Sequence, residues 1–248
     1  LILRIDGRNY DQLRPIVFKR GVSKYAEGSC YIEQGDTKLI CTATIEDEKV
    51  PQFLRGSGSG WITAEYGMLP RSTRTRIPRE SSKSFPLARV MEIRRMIGRS
   101  LRAAFDLQKL GERTITVDCD VLTADGGTRC AAVNAGFVAV VEAMDYLRNM
   151  GVLKSIPLLD FIASISAGIV MGKEMLDLCF EEDSTASVDM NVVMTEKGKI
   201  VELQATAEGV PFSKEQLDRL LEMARPAILH IISLQKEVLK DILEKKGG

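Results

Sequence analysis

The 248 residues carry 34 Lys and Arg against 34 Asp and Glu, so the total charge is zero and by itself points to no class of partner. With 45% hydrophobic and 27% charged residues, the composition is that of an ordinary soluble globular protein, long enough for one large domain or two small ones with a full core. Cys30, Cys41, Cys119, Cys130 and Cys179 are odd in number and form no CxxC pair, which argues against a zinc site or disulfide framework and for buried free thiols.

Residues 1–8 are too short and too charged for a signal peptide or a membrane span, and none is apparent further on. A cytoplasmic protein is therefore expected; the first residue is Leu rather than Met, which leaves the natural start open. Residues 28–35 and 37–45 read as strands joined at Gly35-Asp36, a hairpin signal. A glycine-rich loop at 56–60 leads into a strand over 61–66, and Pro70 and Pro78 argue against a helix just beyond it. From 87 to 110 the spacing of Val90, Ile93, Ile97, Leu101 and Ala104 predicts one helix stopped by Gly111, with Arg95, Arg99 and Arg102 on one side.

Residues 113–122 alternate as a strand, with Ile115, Val117, Cys119 and Val121 on one face and Thr116, Asp118 and Asp120 on the other. A loop at 124–127 opens a helix over 128–149, apolar on most sides and so expected to be buried. Residues 151–160 read as a connector between halves. Four strands are expected over 161–170, 174–180, 187–195 and 199–208. A long amphipathic helix follows from Ser213, with Gln216 completing a capping box and Pro226 kinking it. The order is strands then helix, twice, with no visible sequence repeat.

Charge is segregated along this chain. Between residues 71 and 102 lie Arg71, Arg74, Arg76, Arg79, Lys83, Arg89, Arg94, Arg95, Arg99 and Arg102, opposed only by Glu80 and Glu92. Ten positive charges less two negative leave eight, and the remainder of the chain carries eight negative. Nine of the ten are Arg, whose planar fork matches phosphate in a bidentate way. The plainer reading is a solvated helix face.

Gly126-Gly127-Thr128-Arg129 falls where a strand ends and a helix begins, and helix N-termini offer unpaired amides and partial positive charge to an anion. An ordinary tight turn with a Thr cap is the alternative, and a Walker A loop is absent. Glu181, Glu182, Asp183 and Asp189 form an acidic group at a strand connection, fit for Mg²⁺ or a shared proton, or else a solvated turn; Asp118 and Asp120 could join it or pair with arginines. His230 is the single histidine and is expected in the core or at an interface, which excludes paired-histidine nucleases and Ser-His-Asp hydrolases. A nucleophile that needs no deprotonation, such as inorganic phosphate, would suit these residues.

Several ordered strings are similar to one family. They are the run from Gly60-Trp61-Ile62-Thr63-Ala64-Glu65-Tyr66 through Gly67-Met68-Leu69-Pro70-Arg71-Ser72-Thr73, Met91-Glu92-Ile93, Asp118-Cys119-Asp120-Val121-Leu122 with Ala124-Asp125-Gly126-Gly127-Thr128-Arg129, Glu182-Asp183-Ser184, and Asp189-Met190-Asn191-Val192-Val193. From about Asp6 to Val238 the chain resembles the ribonuclease PH family of phosphate-dependent 3′-exoribonucleases, which trim tRNA precursors.

The resemblance implies an α+β fold like domain 2 of ribosomal protein S5, in two similar strand-then-helix halves packed together, residues 1–150 and 151–248. It implies that Arg89, Thr128 and Arg129, with the Gly127 backbone, hold the attacking phosphate. Asp183 and Asp189 would be the catalytic carboxylates, through a divalent metal such as Mg²⁺ or as proton donor. Arg71, Arg76 and Arg79 would serve RNA contact and assembly. Inorganic phosphate would be the co-substrate, tRNA precursors and other structured RNA with 3′ tails the substrates, and the assembly a homo-oligomeric, hexameric ring. Departures from the family pattern are Leu87-Ala88 before Arg89, Val90 after it, Arg94, and the loop 81–86. The alternatives are an exosome-like ring subunit working with a non-identical partner, and a catalytically silent RNA-binding scaffold.

Overall fold

The computed structural model describes residues 4–47, 49–79 and 88–245, so the loop 81–86 and Leu87 lie outside the described residues. The first sheet is built from β1 (Ile16–Arg20), β2 (Gly28–Gln34), β3 (Thr37–Asp47), β4 (Trp61–Met68) and β5 (Arg113–Thr123), in the order β1-β2-β3-β5-β4. Its pairs are antiparallel except β4–β5, which is parallel. A parallel pair needs a crossover, and α1 (Ala88–Ala104) supplies it, packing on β4. The expected hairpin is present, with Gln34 opposite Thr37 across Gly35-Asp36. Strand β1 was not foreseen: its apolar run is only Ile16-Val17-Phe18.

The second sheet holds β6 (Ile162–Val170), β7 (Lys173–Leu176), β8 (Val188–Thr195) and β9 (Ile200–Ala207), ordered β7-β6-β8-β9 and antiparallel throughout. Between the sheets runs α3 (Thr128–Asn149), against β2 and β3 on one side and β6 on the other. It is long and apolar enough to cross a membrane, but 89% of its apolar window is buried inside the protein. Its burial follows from the absence of a polar stripe. One continuous core joins both sheets, with Phe137 of α3 lying 5.7 Å from Phe105 and 5.3 Å from Phe161. The chain is thus a mixed α+β protein of two similar halves, each a sheet followed by a long helix.

The helix expected over 87–110 is two helices, α1 and α2 (Leu107–Leu110). The break falls at Phe105-Asp106 because the connector docks there: Phe105 bridges to Leu158, the Asp106 amide donates to the Pro157 carbonyl (2.8 Å), and the Leu159 amide to the Ala104 carbonyl (2.8 Å). Two of the three arginines on its expected polar face have structural partners. Arg99 pairs with Glu202, and Arg102 stacks 4.0 Å over Trp61 while donating to the Ile62 carbonyl.

The strand expected over 174–180 ends at Leu176, because Asp177 adopts a left-handed φ of 54° and Phe180–Asp183 forms a helical turn, α4. The last long helix, α5 (Lys214–Val238), starts on the expected Ser213–Gln216 capping box, and α6 (Lys240–Glu244) follows it. Helix α5 runs unbroken through Pro226. All five cysteines are free and buried, as expected. His230 is not in the core: it is exposed on α5, beside an open groove shared with Tyr10, Glu174 and Arg219.

Candidate active site

Strand β5 delivers the chain to Asp125-Gly126-Gly127, and α3 begins at Thr128. Gly127 is the helix N-cap, with φ 69°, and Gly126 has φ 77°. Two successive left-handed residues favour glycine, since a Cβ is strained there. Gly126 has a second reason: a Cβ would sit 2.3 Å from the Leu178 carbonyl oxygen and 2.8 Å from the Cys179 carbonyl carbon. The loop of the first half therefore lies directly on the backbone that enters α4. Gly126→Ala is expected to lower stability by about 2 kcal/mol or more, read as a shift in denaturant midpoint, because neither backbone can give way as a flexible side chain would.

Thr128 is the first helical residue and not the cap. Its hydroxyl meets the Tyr66 hydroxyl at 2.9 Å. Tyr66 on β4 is buried, and burial pushes its phenol above the ordinary value against the pull of the Thr128 hydrogen bond, Arg89 and Arg129. It therefore stays neutral and orients Thr128. Arg129 extends from the same turn, donating to Gln204 of β9 at 3.1 Å and pairing with Glu92 of α1 at 3.5 Å. Arg89 is exposed on the first turn of α1.

The acidic run divides into three environments. Glu181 pairs with Arg74. Glu182 is buried, chelated by Arg4 at 2.5 and 2.8 Å, and accepts from the Cys179 amide at 3.1 Å. Asp183, at the end of α4, feels Arg89, Arg129 and Arg14; its burial outweighs them and holds its carboxyl above the ordinary carboxylate value. Asp189, near the start of β8, is also raised, by burial and then by Asp183, against Arg129, the Asn191 amide and Arg89. Asp183 and Asp189 thus both lie within the electrostatic reach of Arg89 and Arg129. Asp118 and Asp120 stand elsewhere, on β5: Asp118 is raised by burial, Asp120 and Glu46 and lowered by Arg94.

Asn191 was not singled out from the sequence. It donates to Asp189 at 3.1 Å and accepts from the Cys130 thiol at 3.3 Å, tying β8 to α3. Tyr66 and Gln204 were likewise not assigned roles. A polar alternation on β8 and β9 was the available signal for Asn191 and Gln204. Arg71, Arg76 and Arg79 are exposed on the segment after β4. That segment is pinned beside the glycine loop, where the Ala124 amide donates to the Ser72 carbonyl at 2.8 Å. Among the described residues no group of three or more His, Cys, Asp or Glu is arranged to hold a metal.

Fold and site together define an α+β enzyme that gathers guanidiniums, a helix N-terminus and two half-buried carboxylates in one place, equipment suited to a phosphate ester. The chain belongs to the 3′ exoribonuclease family: the model of its domain 1 matches residues 12–144 and that of its domain 2 residues 160–227. It is 53% identical over 246 residues to the ribonuclease PH of Moorella thermoacetica, covering 99% of this chain and 98% of that protein. In fold it is similar to rice (Oryza sativa) Rrp46, with TM-score 0.77 and 21% identity over 95% of this chain and all of that one. It is also similar to a chain of the Archaeoglobus fulgidus exosome solved with RNA bound to the active site, with TM-score 0.75 and 22% identity over 97% of this chain and 93% of that one.

Proposed function

We propose that this protein is a phosphorolytic 3′-exoribonuclease acting on the 3′ ends of tRNA precursors and other structured RNA. The observation that carries the reading is the placement of Thr128 and Arg129 at the N-terminus of α3, behind a glycine turn packed on the backbone that leads to Asp183. Unpaired amides at that N-terminus, the Thr128 hydroxyl and the two guanidiniums would hold inorganic phosphate, which is already anionic near neutrality. A phosphate oxygen attacks the phosphorus of the terminal phosphodiester. The bond from that phosphorus to the 3′ oxygen of the preceding ribose breaks, that oxygen takes a proton, and a nucleoside 5′-diphosphate leaves. Similar bonds are made and broken, so the reaction also runs in the direction of nucleotide addition.

Asp183 and Asp189 would be the catalytic carboxylates. Raised carboxyls suit a proton donor to the leaving 3′ oxygen. The same pair also fits Mg²⁺, which binds through one or two carboxylates together with substrate phosphate oxygens, and would supply charge neutralisation there. Arg71, Arg76 and Arg79 would contact RNA or a neighbouring subunit of a hexameric ring of identical chains. The fold is of the ribosomal protein S5 domain 2 kind, its halves divide between residues 150 and 151 at the start of the connector, and the protein works in the cytoplasm.

The test is a tRNA with a short 3′ extension, incubated with Mg²⁺ with and without inorganic phosphate. Phosphate-dependent shortening with diphosphate products is expected; monophosphates released without phosphate would overturn phosphorolysis. Sedimentation of the purified chain should give the mass of six copies. Tyr66→Phe should keep the fold and lower phosphate-dependent turnover about three- to tenfold, the worth of one neutral hydrogen bond that orients Thr128. Unchanged turnover would remove Tyr66 from the site.

A further inference from the structure

Arg14 precedes β1, far in sequence from every residue of the candidate site, and is 5% exposed. Its guanidinium reaches both halves. Toward the second it meets Asp177, Nη2 to Oδ1 at 2.6 Å and Nε to Oδ2 at 3.1 Å, while its own backbone amide donates to the same Oδ2 at 2.7 Å. Toward the first it donates to the Asp125 carbonyl through Nη1 and to the Gly126 carbonyl through Nη2 at 3.3 Å, with the Asp125 carboxylate 3.6 Å away. A Cβ on Gly127 would lie 3.3 Å from Nη2, so the guanidinium sits against the glycine turn itself.

Asp177 is fully buried, in left-handed backbone, two residues before the cap of α4, and Gln34 (2.7 Å) and Arg8 (3.5 Å) also donate to its carboxylate. A buried carboxylate with this many donors is fixed in place, and so is the fork that binds it. We propose that Arg14 is a positioning residue: one guanidinium sets the Asp125-Gly126-Gly127 turn that cradles phosphate and the segment that aims Asp183, and so holds the two halves of the site in register.

This inference rests on the phosphorolytic reading and adds a residue that does not touch the reacting atoms. The geometry requires a fork. Lysine keeps the charge but supplies a single compact ammonium, which cannot span Asp177 and two carbonyls in fixed directions.

The experiment compares Arg14→Lys, Asp177→Asn and Arg4→Lys with the unaltered protein, reading phosphate KM, RNA KM, kcat and thermal midpoint. Arg4 is a control from the same N-terminal segment, buried on Glu182 and on the carbonyls of Leu176 and Asp177, with no bond to the glycine turn. Arg14→Lys is expected to raise phosphate KM about tenfold or more, with RNA KM changed less than about twofold, the loss of charge-assisted hydrogen bonds to the turn. Asp177→Asn should move phosphate KM the same way by about threefold or more, and decides the matter if Arg14→Lys does not fold.

Arg4→Lys, which disturbs a buried pair, should lower the midpoint but leave phosphate KM within about twofold. Phosphate KM unchanged in Arg14→Lys or in Asp177→Asn, or raised equally by Arg4→Lys, overturns the proposal. Failure of the underlying reading looks different: the unaltered protein would then show no dependence on phosphate.

Discussion

Asp189→Asn should lower kcat about 10³-fold, within the range for loss of a general acid or base, and at the same time make the protein more stable at pH 7. The two effects share a cause. Burial and the nearby Asp183 raise the Asp189 carboxyl in the folded protein above its ordinary value of 3.8. A raised carboxyl favours folding while it holds its proton, below the unfolded pKa, and that contribution is lost as pH rises through the folded-state pKa. At pH 7 the carboxyl is ionised in the unfolded chain, and the folded protein carries the cost of the environment that raises it. Asparagine keeps the shape and removes the cost, so the thermal midpoint at pH 7 should rise while turnover collapses. Calorimetry beside steady-state rates at saturating phosphate and RNA checks both. Turnover within tenfold of the unaltered protein would take Asp189 out of the chemistry.

Arg129→Ala should lower kcat/KM for phosphate about 10²-fold or more, as expected when a preorganised donor to transferring charge is removed. The guanidinium is only 17% exposed, and Gln204 and Glu92 hold it from two different elements. It is therefore ordered before any anion arrives, and little freedom is lost on binding. Arg129→Lys should recover only part of the loss, since one ammonium cannot reproduce the fork. A change below about threefold in the alanine variant would remove Arg129 from the phosphate site.

Much of this arrangement was readable before any coordinates. Alternation marked β5, the turn signal at Gly35-Asp36 marked the first hairpin, and the Ser213–Gln216 box marked the start of α5. These features are local: a few adjacent residues decide them. What escaped was set by distant partners. The break at Phe105 is made by Leu158 and Pro157, which no periodicity on α1 reveals. The early end of β7 is made by Arg4, Arg8 and Arg14, arriving from the other end of the chain to hold Leu176 and Asp177. The acidic run at 181–183 looked uniform, yet three adjacent carboxylates have three fates that depend on Arg74, Arg4 and the site arginines. Glycine turn, arginines and paired acids stood out by their own chemistry, while their roles came from the family resemblance; Tyr66, Asn191 and Gln204, which bond to Thr128, Asp189 and Arg129, are ordinary residues on ordinary strands.

The contact of Gly126 with Leu178 and Cys179 bears on how such a protein is made. During synthesis the ribosome releases Arg89, Thr128 and Arg129 well before Asp183, Asp189 and Gln204; the glycine turn meets Thr37 early, but the backbone of Leu178 and Cys179 on which it packs comes only with the second half. A half-made chain thus has the residues proposed to hold phosphate but lacks Asp183 and Asp189, the carboxylates proposed for catalysis. On that reading, an enzyme proposed to shorten RNA completes its site only when its second sheet closes against its first.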